Sequence, residues 1–318
     1  ISYVQVNRFS QKSCAYRLPF TSPSARSVTE NTAPALPEAF SRRMKPSLGP
    51  EFGSFLAAHA MPAPVSIRAN AAKPVPLPAD ALTVAWANTG LYLPRRPVFA
   101  LEPHWHAGAY YVQEASSMFL EQAWAAVRQY VEPNPVVLDL CASPGGKSTH
   151  LASLLPVGGL LIANEVIRPR AQVLAENVAK WGTGNAVVTN SDPQVFGNLP
   201  GLFDVMLVDA PCSGEGMFRK DPEAVREWSE ANVKLCAERQ RRILADAWPA
   251  LKPGGFLVYS TCTYSPDENE QILDWLAEQY GAEGQSIAIQ PDWGVVPVGD
   301  RLPGYRFYPH RVAGEGLF

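Results

Sequence analysis

The chain has 318 residues, 47% of them apolar and 18% charged, with a formal net charge of −3. That length holds two domains, or one large α/β domain with an added module. The near-neutral balance argues against a strong polyanion binder, and no apolar run approaches the roughly eighteen residues of a membrane span.

Residues 1–35 are rich in Ser, Thr, Pro and Asn without periodicity, and predict a disordered lead-in outside the fold. They hold Arg8, Lys12, Arg17 and Arg26 against Glu30, so the remainder is more acidic than the whole. No charged segment followed by an apolar core marks a signal peptide. Residues 36–60 predict two short helices, with Phe40 and Met44 in the first and Phe52, Phe55 and Leu56 in the second. Pro62 and Pro64 end that region. Residues 65–70 alternate as a strand does, and a proline-rich stretch runs on to Pro103. Together they predict a small α+β domain over 36–108.

From 109 the pattern becomes regular. It predicts helices at 114–130, 147–155, 168–181, across 222–250 and at 266–280. Between them it predicts strands at 136–141, 160–164, 186–190, 204–209 and 255–261. Strands alternating with helices imply a doubly wound parallel sheet of the α/β class. Pro253-Gly254-Gly255 reads as a sharp turn from helix to strand. The closing Gly314-Glu315-Gly316-Leu317-Phe318 reads as a strand cut short, so the 109–318 domain is expected to be truncated.

Two strands run straight into a cysteine. One is Val205-Met206-Leu207-Val208-Asp209-Ala210-Pro211-Cys212-Ser213-Gly214; the other is Phe256-Leu257-Val258-Tyr259-Ser260-Thr261-Cys262-Thr263. Ligands bind at the carboxyl ends of strands in such sheets, so both thiols are expected in one crevice. The turn Asp139 to Lys147 lies beside them. Its Gly145 and Gly146 let a ligand approach the backbone, and the helix that follows offers free N–H donors. Glu165 ends the second strand, where an acid binds ribose hydroxyls; Asp192 follows the third, within reach of an adenine amino group. The set predicts an adenosine-containing cofactor. The five cysteines are Cys14, Cys141, Cys212, Cys236 and Cys262. Odd in number and irregularly spaced, they predict neither disulfides nor a metal site, and fit reduced thiols in a cytoplasmic protein. Cys14, Cys141 and Cys236 read as structural. His104, His106 and His310 read as loop residues without metal partners. The clusters Arg42-Arg43-Lys45, Arg95-Arg96, Arg219-Lys220 and Arg239-Arg241-Arg242 read as solvated faces, or as local contacts should the substrate be nucleic acid.

Three segments resemble, in order, the signature motifs of the Nop/Sun-type RNA (cytosine-5) methyltransferases. They are Cys141-Ala142-Ser143-Pro144-Gly145-Gly146-Lys147, Asp209-Ala210-Pro211-Cys212-Ser213-Gly214 and Ser260-Thr261-Cys262-Thr263. Residues 111–118, 214–222, 306–310 and 314–318 add to the resemblance, which covers roughly 36–318 and is most similar to the bacterial branch acting on 16S ribosomal RNA. Ser143 stands where the family usually has Ala. The resemblance implies a Rossmann-like S-adenosylmethionine-dependent methyltransferase domain behind a small RNA-binding-type module. It implies Cys262 as attacking thiol, Cys212 as the thiol assisting release, and Asp209 as a partner of the cytosine. Cofactor contacts would come from residues 141–147, Glu165, Asp192 and Asp209, with Lys147 placing either cofactor or base. RNA, a ribosomal RNA above all, is the implied partner of a monomer with no metal and no membrane. A tRNA substrate, a DNA cytosine, a small molecule, or a silent assembly role are the rival readings; having both the Pro-Cys and the Thr-Cys cysteine favours RNA over DNA.

Overall fold

The computed structural model describes residues 35–318. The lead-in expected at the start of the chain, with Cys14, lies outside the described residues. Helices α1 (Glu38–Leu48) and α2 (Phe52–His59) come first. Phe40, Met44 and Phe55 form their buried face. Gly49 ends α1 at φ 51°, a left-handed turn that glycine adopts without a Cβ clash.

An antiparallel sheet follows, built from β1 (Val65–Ala69), β2 (Leu82–Thr83), β3 (Gly90–Leu93) and β4 (Tyr110–Val112) in the order β2-β3-β1-β4. A short helix α3 (Pro103–His106) precedes β4 and carries His104 and His106, which were expected in a loop. The boundary expected between 108 and 109 falls inside this sheet, because β4 pairs with β1 from Ile67–Val112 to Ala69–Tyr110. The helix expected over 114–130 is confined to α4 (Leu120–Val127). Before it, the Glu114 carboxylate accepts from Ser117 N and Glu315 N, so this stretch is tied by side-chain bonds and forms only a 3-10 turn.

The larger sheet follows the expected alternation: β5 (Val136–Asp139), α5 (Gly146–Leu154), β6 (Leu160–Asn164), α6 (Arg168–Trp181), β7 (Ala186–Thr189), α7 (Pro193–Gly197), β8 (Phe203–Asp209), α8 (Pro222–Glu227), α9 (Glu230–Ala247), β9 (Leu251–Ser260) and α10 (Glu270–Tyr280). Its strand order is β7-β6-β5-β8-β9, and every pairing is parallel. The five-residue α7 was not anticipated. β5 stops at Asp139 rather than 141, because Ala142 N already crosses to Asn164 O. The sharp turn expected at Pro253-Gly254-Gly255 is instead an irregularity within β9. Phe203 pairs with Leu251 but Val205 with Phe256, so the Pro-Gly-Gly residues bulge out of register. A hairpin follows, β10 (Val296–Val298) and β11 (Gly304–Arg306), and beyond it Phe307 bridges to Leu317.

Strand alternation sorts the core into two layers. Val137, Val205 and Leu207 face Leu120, Trp124, Leu151 and Leu174 on one side. Leu138, Met206 and Val208 face Phe196, Ile243, Leu244, Ile272 and Leu276 on the other. With both faces covered, the sheet is the Rossmann-like, doubly wound arrangement expected. No helix among the described residues is long and apolar enough to cross a membrane.

Candidate active site

From the centre of the larger sheet, the chain order runs outward through β5, β6 and β7 on one side and through β8 and β9 on the other. This reversal opens a crevice at the strand ends, where α/β sheets hold their ligands. The glycine turn, Glu165 and Asp192 lie over the first side. Asp209, Cys212 and Cys262 lie over the second.

On the first side Gly145 takes φ 108°, which only glycine adopts without strain, and it opens α5. A Cβ at Gly145 would stand 3.2 Å from Leu174, and one at Gly146 3.4 Å from Tyr111. The turn is held at its carbonyls: Asn177 Nδ2 donates to Pro144 O at 2.8 Å and Arg170 to Ser143 O at 3.0 Å. Cys141 and Ala142 point into the two core layers, so their contribution to a ligand is backbone. Burial pushes the Cys141 thiol pKa up. Asp139, fully buried, accepts from Ser148 Oγ at 2.6 Å, while its Oδ1 has no partner. Burial raises its pKa to about 7. Glu165 is buried, accepts from Ile167 N at 2.9 Å and lies 3.4 Å from Arg170. Asp192 is exposed and caps α7 by accepting from Gln194 N. Val166 and Ile167, half exposed beside Glu165, offer apolar surface that the sequence did not single out.

On the second side the sulfur atoms of Cys212 and Cys262 are 3.1 Å apart. The Cys212 thiol pKa is pushed well up, first by its hydrogen bond with Cys262 and then by burial. Lys147 reaches over from α5, with Nζ 2.8 Å from Asp209 Oδ1. Burial disfavours its charge, but Asp209 outweighs that and raises the Lys147 pKa. Asp209 also accepts from Ser260 Oγ at 2.7 Å, which ties the end of β8 to β9. Residues from all three motifs therefore converge on one place: Lys147 from the first, Asp209 and Cys212 from the second, Cys262 from the third. Cys236 is buried within α9. His310 pairs with Glu51 at 2.8 Å. Among the described residues, no group of three or more His, Cys, Asp and Glu is placed to hold a metal ion.

Residues 129–318 match the profile of the family described as 16S rRNA methyltransferase RsmB/F. The chain belongs to that family. Residues 36–115 match the N-terminal domain of 16S rRNA methyltransferase RsmF, a span that includes β4. Among its relatives, the ribosomal RNA small subunit methyltransferase F of Enterobacter sp. (strain 638) is 39% identical over 261 residues, 77% of this chain and 54% of that protein. The protein of the same name from Vibrio campbellii is 42% identical over 203 residues, 62% of this chain and 42% of that one. The chain spans about half the length of the curated relatives it matches. A methyltransferase homolog from Pyrococcus horikoshii superposes with a TM-score of 0.69 at 28% identity, covering 88% of this chain and 92% of its own.

Sequence reasoning missed the residues that hold the site in place. Arg68 of β1 is buried yet cationic, donating to Gln113 Oε1 at 2.7 Å, Thr149 Oγ1 at 2.6 Å and Gly146 O at 3.2 Å. Arg43 of α1 pairs at 2.5 Å with Glu215, which is fully buried and also accepts from Trp228 Nε1 and Tyr264 N. The only trace of Arg68 in the sequence is a charge at an inward position of an alternating strand. Arg43 stood in a basic cluster read as a solvated face and Glu215 in a segment of the resemblance, but their pairing across 172 residues left no trace.

Proposed function

We propose that this chain transfers a methyl group from S-adenosylmethionine to carbon 5 of a cytosine in RNA, through a covalent adduct with Cys262. The observation that carries the reading is the thiol pair at 3.1 Å beside the Lys147–Asp209 pair, at the ends of adjacent strands. The names of the relatives support 16S ribosomal RNA as the substrate of the intact protein, which brings with it a cytoplasmic location.

The first side of the crevice fits the cofactor. A left-handed glycine turn opens onto a helix N-terminus, Asp139 Oδ1 is an orphaned polar atom beneath it, and Glu165 with exposed Val166 and Ile167 stands at the next strand end. Residues 141–147, Glu165 and Asp192 would hold it, with Asp209 at the boundary of the two sides. When bound, S-adenosylmethionine supplies an electrophilic methyl group on a sulfonium sulfur.

Carbon 5 of cytosine is a poor nucleophile. A thiolate adding to carbon 6 makes the ring an enamine, and only a thiolate is an effective attacker. The resemblance of Ser260-Thr261-Cys262-Thr263 to the family's motif makes Cys262 the attacking sulfur; the 3.1 Å contact between the thiols by itself permits either order. Asp209, held by Lys147 and Ser260, would take a hydrogen bond from the base. After methylation the carbon-5 proton is lost and its bonding electrons re-form the 5,6 double bond. The Cys262 sulfur leaves with the electrons of its bond to carbon 6. Cys212, one hydrogen bond from Cys262, would take the carbon-5 proton as a thiolate, so the step ends with a Cys212 thiol and a Cys262 thiolate.

Methyl transfer to cytosine-containing RNA, read with labelled S-adenosylmethionine and denaturing gels, tests this. Cys262→Ala is expected to abolish both methylation and adduct. Cys212→Ala is expected to accumulate an adduct stable to denaturation. An adduct with Cys262→Ala and none with Cys212→Ala would reverse the roles, and an intact protein that methylates no RNA would end the reading.

A further inference from the structure

Glu268 lies outside all three motifs, yet it is in contact with both thiol turns. Its backbone is pinned to the strand that carries Cys262, because Tyr259 Oη donates to Glu268 O at 2.7 Å. The neighbouring Asn269 fastens the same turn, accepting from Thr261 Oγ1 at 2.6 Å and donating to Thr263 O at 3.0 Å. The Glu268 carboxylate reaches the other way, into the Cys212 turn. It accepts from Ser213 N at 2.8 Å and from Ser213 Oγ at 2.5 Å. Gln240 of α9 donates at 3.2 Å to the same carboxylate and at 3.1 Å to Pro211 O, on the other side of Cys212. Ser213 and Thr263, each one residue past a thiol, lie 3.1 Å apart through their hydroxyls.

A buried carboxylate is costly, and a structural filler would be apolar. Glu268 is fully buried, and among the described residues no Lys or Arg pairs with it. Its partners are neutral donors, two from Ser213 on the Cys212 turn and one from Gln240 of α9. Burial raises its pKa, and the two bonds from Ser213 work against that rise.

We propose that Glu268 is a positioning residue that sets the spacing of Cys212 and Cys262, acting through Ser213 and Thr263. Its importance to methyl transfer rests on the function proposed above; the spacing itself does not. Two thiols held close form a disulfide at the expense of glutathione disulfide: the protein loses two thiol protons and two electrons, and two molecules of glutathione are released. The equilibrium constant of that exchange measures how well the pair is held.

The experiment equilibrates the protein with glutathione buffers of graded ratio and quantifies the Cys212–Cys262 disulfide by peptide mass spectrometry. Glu268→Gln, which keeps the volume, is expected to lower the constant by about tenfold or more, with Glu268→Asp in between. Ser213→Ala, a smaller change that serves if Glu268→Gln does not fold, is expected to lower it as well and to add little on top of Glu268→Gln. In methyl transfer, kcat should fall with the KM for S-adenosylmethionine unchanged. A folded Glu268→Gln or Ser213→Ala protein whose constant stays within about twofold of the parent overturns the proposal. A shifted constant in a protein that methylates no RNA upholds the spacing role and overturns only the proposed function.

Discussion

The two sides of the crevice are braced by different parts of the N-terminal region. The glycine turn leans on the small sheet. Arg68 of β1 donates to Gly146 and Thr149 and stacks 4.3 Å from Trp181, while Tyr111 of β4 donates to Pro144 O. The thiol turns lean on the helix pair. Phe40 and Phe55 pack against Phe218, Tyr264 and Tyr308, and Arg43 contributes a single ion pair to Glu215. Polar bracing places particular atoms and fails when a donor is lost; aromatic packing shares its load over many contacts. The side proposed to hold the cofactor is therefore the more sensitive to one substitution.

Removing Arg68 tests that contrast most severely. Arg68→Met keeps an apolar stem but strands Gln113 Oε1 and takes a donor from Thr149 Oγ1 and Gly146 O. A loss of about 2–4 kcal/mol in unfolding free energy is expected, with weakened S-adenosylmethionine binding by calorimetry. Cofactor affinity equal to the parent's would remove the brace from the first side. Arg43→Ala leaves Glu215 buried with two donors instead of three, and Arg43 is itself partly exposed. The expected cost is about 1–3 kcal/mol, with kcat reduced and cofactor affinity retained. If cofactor affinity falls as far as kcat, the two sides are not separately braced.

A third test is one of pH. The pKa of Asp139 in the folded protein is about 7, raised above the ordinary 3.8. Its neutral form therefore favours folding below the ordinary value, and that contribution is lost as pH rises through the folded value. Asp139→Asn removes the loss. Its stability relative to the parent is expected to grow between about pH 4 and 7 and then level off, with a slope of at most about 1.4 kcal/mol per pH unit. Urea titrations at several pH values would read it, and a difference independent of pH would show that Asp139 does not stay protonated in the fold.

Much of this molecule was legible in the chain because its signals are local. Apolar runs of strand length alternating with helical periods specify a doubly wound sheet, and strand ends ahead of glycine or Pro-Cys turns mark its ligand-binding edge. Cys212, Cys262, Asp209 and Lys147 could be chosen from the sequence for that reason, although the roles of the thiols came from the family resemblance. Helix limits were less legible where side chains competed for backbone donors, as Glu114 does ahead of α4.

What only the tertiary structure decided is which distant residues share an atom. The sulfur contact between Cys212 and Cys262 depends on β8 and β9 being neighbours in register. That Lys147 turns to Asp209, that β4 joins the small sheet, and that Arg68, Arg43 and Glu268 hold the site all depend on chain crossings of dozens to hundreds of residues. Periodicity reports which face of an element is buried; it carries no information about the partner across the interface, because that partner is selected by packing and by the need to satisfy every buried polar group.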